Sequence, residues 1–305
     1  MTPIMVKSLI VLSLLLFTLD GLSAQNAIIN PEGCGMSSFK TMIVNGTEVK
    51  ETQYPWTVFL ELHYPMVKRA CGGTIITKRH VLTAAHCLLV NNEYVQKVVV
   101  SYGSVDRRSG KKVEASKVLI HKDYDTRKHV NDIALIEVKD PFQFSKDVTP
   151  ICVPMAPVPL VNKNAIVAGW GSFYYGGKGV DFLRQTQVSI YPDMICSIVF
   201  SKLDYSNVRQ CCANRVGKGA CKGDSGGPMM LRAGTGRFQQ VGIVSYGFGT
   251  CGGIFNPQVY TRVDGYSDWL NRAVSSSAGY KPLSGPKAYM LRSSPFPIIE
   301  DTPTW

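Results

Sequence analysis

Long apolar runs are nearly missing from this 305-residue chain. Past the N-terminus no stretch approaches the roughly 18 to 20 apolar residues of a membrane span, so the body of the chain holds none. Charge is also scarce, at 18% of residues, and acidic charge is scarcer still. The 33 Lys and Arg against 22 Asp and Glu leave a net +11, which favours acidic partners or surfaces without naming one. With 45% apolar residues, the chain is too hydrophobic to be disordered and long enough to bury a sizeable core. Nine cysteines are too few for a mini-protein scaffold, yet they suggest an oxidising compartment. No internal repeat is present.

What is there begins with an export signal. Lys7 supplies a positive start, Ser8 to Leu19 an apolar stretch, and Leu22-Ser23-Ala24 a small residue for cleavage. Residues 1–24 therefore read as a signal peptide. A membrane anchor fits less well, because the stretch is short and Asp20 follows closely. Export makes disulfide pairing of the cysteines credible.

Short β-rich runs follow: Trp56 to Leu62, Gly73 to Ile76, Val81 to Ala85, Val98 to Tyr102, Ala134 to Val138, Ile166 to Ala168, Val241 to Tyr246 and Val259 to Val263. Gly-, Pro- and charge-rich turns separate them, as in an all-β barrel or sandwich. Only Asp264 to Val274 reads as a helix, with Tyr266, Trp269, Leu270 and Val274 on one face and Asp264 as its N-cap. Residues 275–305 are rich in Ser and Pro without an apolar period and read as a flexible tail.

Three segments carry chemistry: Thr83-Ala84-Ala85-His86-Cys87, Asn131-Asp132-Ile133-Ala134-Leu135 and Gly223-Asp224-Ser225-Gly226-Gly227-Pro228. A serine hydroxyl needs an adjacent base to act as a nucleophile, and that base is usually His. The His in turn needs an acceptor on its other nitrogen, and glycines beside the serine let backbone N–H groups approach an oxyanion. The serine segment alone also fits the nucleophile elbow of α/β-hydrolases, whose His follows the Ser. Here the five histidines are His63, His80, His86, His121 and His129, and none follows Ser225. The order His, Asp, Ser remains.

From about Ile43 to Val274 the chain resembles the chymotrypsin/trypsin family of secreted serine proteases. Besides those three segments, Cys71-Gly72-Gly73, Gly169-Trp170-Gly171 and Ser245-Tyr246-Gly247 occur in family order. The resemblance implies an all-β fold: two six-stranded antiparallel barrels, the active site in the cleft between them, and a C-terminal helix. It makes Ser225 the nucleophile, His86 the general base and then acid, and Asp132 the orienting carboxylate. The N–H groups of Gly223 and Ser225 become the oxyanion hole. Residues 43–274 form the protease domain, and residues 25–42 a propeptide. Ile43-Val44-Asn45-Gly46 matches the family's mature N-terminus, whose freed ammonium would pair with Asp224 and order the pocket. Met42 stands where the family usually has Arg or Lys, so the activating enzyme is not expected to be trypsin-like.

Family spacing pairs Cys71 with Cys87, Cys196 with Cys212, Cys221 with Cys251, and Cys34 with Cys152, which would tether the propeptide. Cys211 is left over; the alternative bridge Cys196–Cys211 would free Cys212 instead. In family register Gly219 lies at the floor of the specificity pocket, where trypsins carry Asp. Ser245, Tyr246 and Gly247 line the substrate channel, and Gln258 shortens the pocket with a polar amide. The expected residue before the cut is apolar, such as Leu, Met or Phe. His129 reads equally as a subsite wall or as a surface residue. The loop Ser104 to Lys112 sits where the family holds calcium, but Arg107, Arg108, Lys111 and Lys112 disfavour a dication and read as a solvated basic loop. No metal or cofactor is expected. Asn45-Gly46-Thr47 is an N-glycosylation sequon. The implied partners are protein or peptide substrates and extracellular protease inhibitors, without nucleic acid or membrane span, for a secreted monomer made as a zymogen. A protease-fold binding protein with little activity is the alternative, against which the complete set of catalytic segments argues.

Overall fold

Residues 57 to 63 alternate buried Val58, Leu60 and Leu62 with half-buried Phe59, Glu61 and His63, the two-residue period of a strand with one face on a core. The computed structural model describes residues 28–37, 48–50, 53–172, 174, 176–217, 219–249, 251–254, 256–276 and 280–283. The expectations for residues 1–24, Met42, Ile43 and Asn45 lie outside them.

The first strand, β1 (Thr57–His63), is followed by β2 (Lys68–Ile75), β3 (His80–Thr83), a short pair β4 (Leu89–Val90) and β5 (Glu93–Tyr94), then β6 (Lys97–Tyr102), β7 (Lys111–Ile120) and β8 (Ala134–Val138). Antiparallel pairing in the order β7-β6-β1-β2-β3-β8, with β7 also pairing β8, closes a six-stranded barrel. The second set is β9 (Asn164–Gly169), β10 (Arg184–Ile190), β11 (Gln210–Asn214), β12 (Pro228–Arg232), β13 (Phe238–Gly247) and β14 (Gln258–Arg262). These close a second barrel in the order β10-β11-β14-β13-β12-β9. Closure leaves no long unpaired edge in either barrel.

Two core clusters form, and the first barrel's reaches into the second through Ile166, Ala168, Met230 and Ile243. Val58, Leu60, Leu62, Ile75, Leu82, Val100 and Leu135 fill the first, and Val167, Val188, Ile190, Val241 and Tyr260 fill the second. Two helices complete the fold: α1 (Asp193–Val199), which packs against β11 of the second barrel, and α2 (Ser267–Ser275). The apolar side of α2, with Leu270, Ala273 and Val274, packs into the first barrel's cluster. No described helix is long and apolar enough to cross a membrane.

Three expectations change. Asp264 does not cap α2: a 3-10 turn (Asp264–Tyr266) precedes that helix, and the carboxylate instead binds Arg262 at 2.6 Å and accepts the Val158 N–H. A carboxylate with a guanidinium within reach gains more from that charge-assisted pair than from capping. Residues 280–283, inside the stretch read as a tail, are ordered onto the first barrel. β15 (Lys281–Pro282) pairs with β7, and the Leu283 N–H donates to the Ser116 carbonyl. Tyr280, buried near His80, anchors the segment. Finally, the basic loop is not merely solvated. Arg107 and Arg108 both bind Asp181, and Arg108 also binds Asp106. The loop therefore clamps the first barrel to the segment leading into β10. Lys111 and Lys112 belong to β7.

Candidate active site

His86 sits in a single 3-10 turn, Ala85–Cys87, directly after β3. The Cys71–Cys87 disulfide fixes that turn to β2. Asp132 lies just before β8, after Asn131, whose φ of 58° is a left-handed conformation that Asn tolerates. The turn aims the carboxylate back at His86. Asp132 Oδ1 accepts the His86 backbone N–H at 2.9 Å, and Oδ2 lies 2.7 Å from His86 Nδ1. An ionised carboxylate only accepts, so this contact puts a proton on Nδ1 and leaves Nε2 as the basic nitrogen of the neutral ring.

The second barrel also grips Asp132. Ser245 on β13 donates its hydroxyl to Oδ2 at 2.5 Å, and Thr261 on β14 donates to the Asp132 backbone carbonyl at 2.8 Å. Burial alone would raise the carboxyl's pKa; the His86 ring, with His129 and the Ser245 hydroxyl, overcomes that and brings it down to about 2. The side-chain role of Ser245 went unseen in the sequence, where it read as substrate channel. Thr261 had no local signal at all.

Ser225 occupies the tight turn before β12. Its carbonyl accepts the Gly72 N–H at 2.7 Å, which ties the turn to β2 of the first barrel. Gly223 has φ +99°, and a Cβ there would lie 3.1 Å from the Gly171 Cα, so both conformation and space call for glycine. Gly223, Ser225 and His86 line one cavity of about 670 Å³ together with Ser245, Tyr246, Gly247 and Gln258.

Asp224 points away from that cavity into the second barrel. Oδ1 accepts the Gly171 N–H at 2.7 Å and Oδ2 the Cys221 N–H at 2.8 Å. No cation contacts it among the described residues. Burial lifts its pKa to about 6, with the two N–H bonds opposing.

Gln258 crosses the pocket. Its amide donates to the Ala220 carbonyl, and its Oε1 lies 3.1 Å from where a Cβ on Gly219 would be. His129 stacks on Tyr246 at 5.3 Å and stands edge-on to His86 at 6.1 Å. Half-buried, it backs His86 and Tyr246, which line the cavity, without lining it itself. His86, His129 and Asp132 could offer three metal-ligating atoms within 4.8 Å, but both Asp132 oxygens are already engaged. Disulfides join Cys34 to Cys152, Cys196 to Cys212 and Cys221 to Cys251. Cys211 is a buried free thiol beside Cys212, and burial pushes its pKa up to about 12.

The Trypsin family model matches residues 43–270. The β subunit of clotting factor G from Tachypleus tridentatus is 33% identical over 281 residues, covering 86% of this chain and 90% of that protein. Venom serine protease Bi-VSP of Bombus ignitus is 35% identical over 257 residues, 79% of this chain and 71% of the relative. Chymotrypsin-2 of Vespa crabro is 34% identical over 231 residues, 75% of this chain and 99% of the relative.

Proposed function

Because this chain belongs to the trypsin family and is a serine endopeptidase, we propose that Ser225, His86 and Asp132 form its catalytic triad. The supporting observation is the pairing of His86 with a buried, ionised Asp132 in a cavity that Ser225 shares. In this reading Ser225 Oγ attacks the scissile carbonyl while His86 Nε2 takes its proton. Asp132 holds the ring's orientation and stabilises the imidazolium. The N–H groups of Gly223 and Ser225 receive the oxyanion, and His86 then protonates the leaving amine. Water, activated by the same histidine, hydrolyses the acyl-enzyme.

The chain is made as a secreted zymogen. Signal residues 1–24 are removed, cleavage before Ile43 frees an ammonium that pairs with Asp224, and the Cys34–Cys152 bridge retains residues 25–42. A carboxylate buried without a cation, as Asp224 is among the described residues, suits that partner. Asn45 carries a glycan, and the mature enzyme is a monomer open to extracellular inhibitors.

The pocket takes an apolar residue before the cut. Gly219 supplies no carboxylate for Arg or Lys, and an unpaired substrate cation there would cost several kcal/mol. The Gln258 amide, held to Ala220, shortens the site in favour of Leu or Met, with Phe next, and the same preference would admit Met42. The decisive experiment is reaction with an active-serine organophosphonate before and after cleavage at Ile43, with Ser225→Ala as control. Labelling that appears on cleavage and disappears in the variant is expected. Ser225→Ala should lower turnover by about a millionfold, the scale measured for triads of this kind. Activity within a few fold of the parent would remove the mechanism, and a peptide-library profile dominated by Arg or Lys would remove the pocket reading.

A further inference from the structure

The wall of the cleft is one-sided in charge. Lys68, Arg69, Arg107, Lys178 and Lys222 line the same cavity as His86 and Ser225, and no carboxylate lines it among the described residues. Lys68 is partly neutralised by Glu61 at 3.1 Å and Arg107 by Asp181 at 3.0 Å. Arg69, Lys178 and Lys222 are exposed and make no ion pair among the described residues.

Their positions divide the cavity. The pocket assigned to the residue before the cut is built by the second barrel: Ala220, Ser245 to Gly247 and Gln258. Arg69 comes from β2 of the first barrel, two residues before Cys71, and Lys178 from the loop after Trp170. Lys222 stands next to Gly223. A peptide threaded past Ser225 with one side chain in the second barrel's pocket must carry its leaving-group half across the remaining wall.

Resting on the triad reading above, we infer that this protease selects substrates with Asp or Glu among the first three residues after the cut. Each exposed cation alone is worth little. Gathered around a concave site with low-dielectric walls, they focus the field and raise the local concentration of acidic chains. The excess of 33 cationic over 22 acidic residues is thus partly concentrated where substrate enters.

The test uses the full chain cleaved before Ile43. Three peptides would share Leu before the cut and differ only in the three residues after it: Ser-Glu-Asp, Ser-Gln-Asn or Ser-Lys-Lys. A p-nitroanilide of the same acyl half, with no residue after the cut, reports the triad and pocket alone. kcat/KM for the acidic peptide should exceed that for the basic one by about tenfold or more, and the gap should shrink toward unity in 0.5 M salt. In Arg69→Glu/Lys178→Glu/Lys222→Glu, with each rate normalised to that variant's own anilide rate, the ranking should invert. Anilide cleavage with no preference among the peptides, or with the basic one preferred, overturns the inference alone. A processed chain inert toward the anilide and the organophosphonate sinks the triad reading and this inference with it.

Discussion

Two aspartates, Asp132 and Asp224, lie buried beside one cleft, and their surroundings push them in opposite directions. Asp132 meets an imidazole, a backbone N–H and the Ser245 hydroxyl, and its pKa falls to about 2. Among the described residues Asp224 meets two backbone N–H groups and no cation, and its pKa rises to about 6. Two neutral donors do not offset the desolvation of a carboxylate, whereas an imidazole partner does. The base-holding half of the site is therefore complete as the chain folds. In the proposed zymogen reading, the half that shapes the oxyanion turn rests on a carboxylate that has no cation partner among the described residues, and cleavage would supply one.

The largest expected break in this comparison is Asp132→Asn, which should cut turnover by about ten-thousandfold with the fold intact. That figure is taken from triads of this kind rather than from these distances. Steady-state kinetics with circular dichroism as the folding control would check it. Removing the other carboxylate should cost less. Asp224→Asn in the processed chain, or processing displaced to Thr41, forfeits a buried pair worth about 3 to 5 kcal/mol, a loss of about 150- to 5,000-fold in kcat/KM. Equal activity of the Ile43 and Thr41 forms would separate pocket order from this pair.

The pH dependence of stability sharpens the contrast. Asp132 has a folded pKa below its unfolded one, so its contribution is complete above about pH 4 and is lost as pH falls through 2. Asp224 has a folded pKa above its unfolded one, so in the uncleaved chain its cost appears as pH rises from about 4 to 6 and stays constant beyond. Roughly two pKa units correspond to about 3 kcal/mol. Chemical denaturation of the uncleaved chain and its Asp224→Asn variant should diverge by about that amount across this window. After cleavage before Ile43 the sign should reverse, with the variant the less stable form because it lacks the buried pair. The smallest effect is expected of Ser245→Ala, which removes one hydroxyl from an otherwise engaged Asp132. A loss of about tenfold in kcat/KM follows from one hydrogen bond to a charged group. A thousandfold loss would mean that Asp132 depends on the second barrel far more than the His86 contact suggests.

Much of this was legible in the chain because the relevant residues sit in contiguous motifs. Thr83 to Cys87, Asn131 to Leu135 and Gly223 to Pro228 each read as one turn with one chemical duty, and alternating runs such as Trp56 to Leu62 announced strands. The hidden parts involve distant partners. Thr261 reaches the Asp132 carbonyl from 129 residues away, with nothing in its own neighbourhood to mark it. Lys111 and Lys112 looked like the end of the basic loop, and the strand they open, Lys111–Ile120, gave no clear signal because only Val113, Ala115 and Val118 of it are buried. Arg107 and Arg108 looked solvated because Asp181 lies more than 70 residues on. Tyr280 gave no period to read, yet burying a single aromatic ring is enough to seat the short strand after it.

The unpaired thiol in β11 gives the protein a covalent hazard that exists only when it unfolds. Thiolate is the species that attacks disulfides, and at about pKa 12 the buried Cys211 supplies almost none near neutrality. Once exposed, it returns to a pKa of about 8.5 while standing next to Cys212, whose bond to Cys196 one exchange can pass to its neighbour. A heated sample would then accumulate a mispaired isomer with time. Its shelf life at high temperature becomes a matter of elapsed minutes and solution pH rather than of equilibrium stability. Acidic storage, or Cys211→Ala, should restore reversibility.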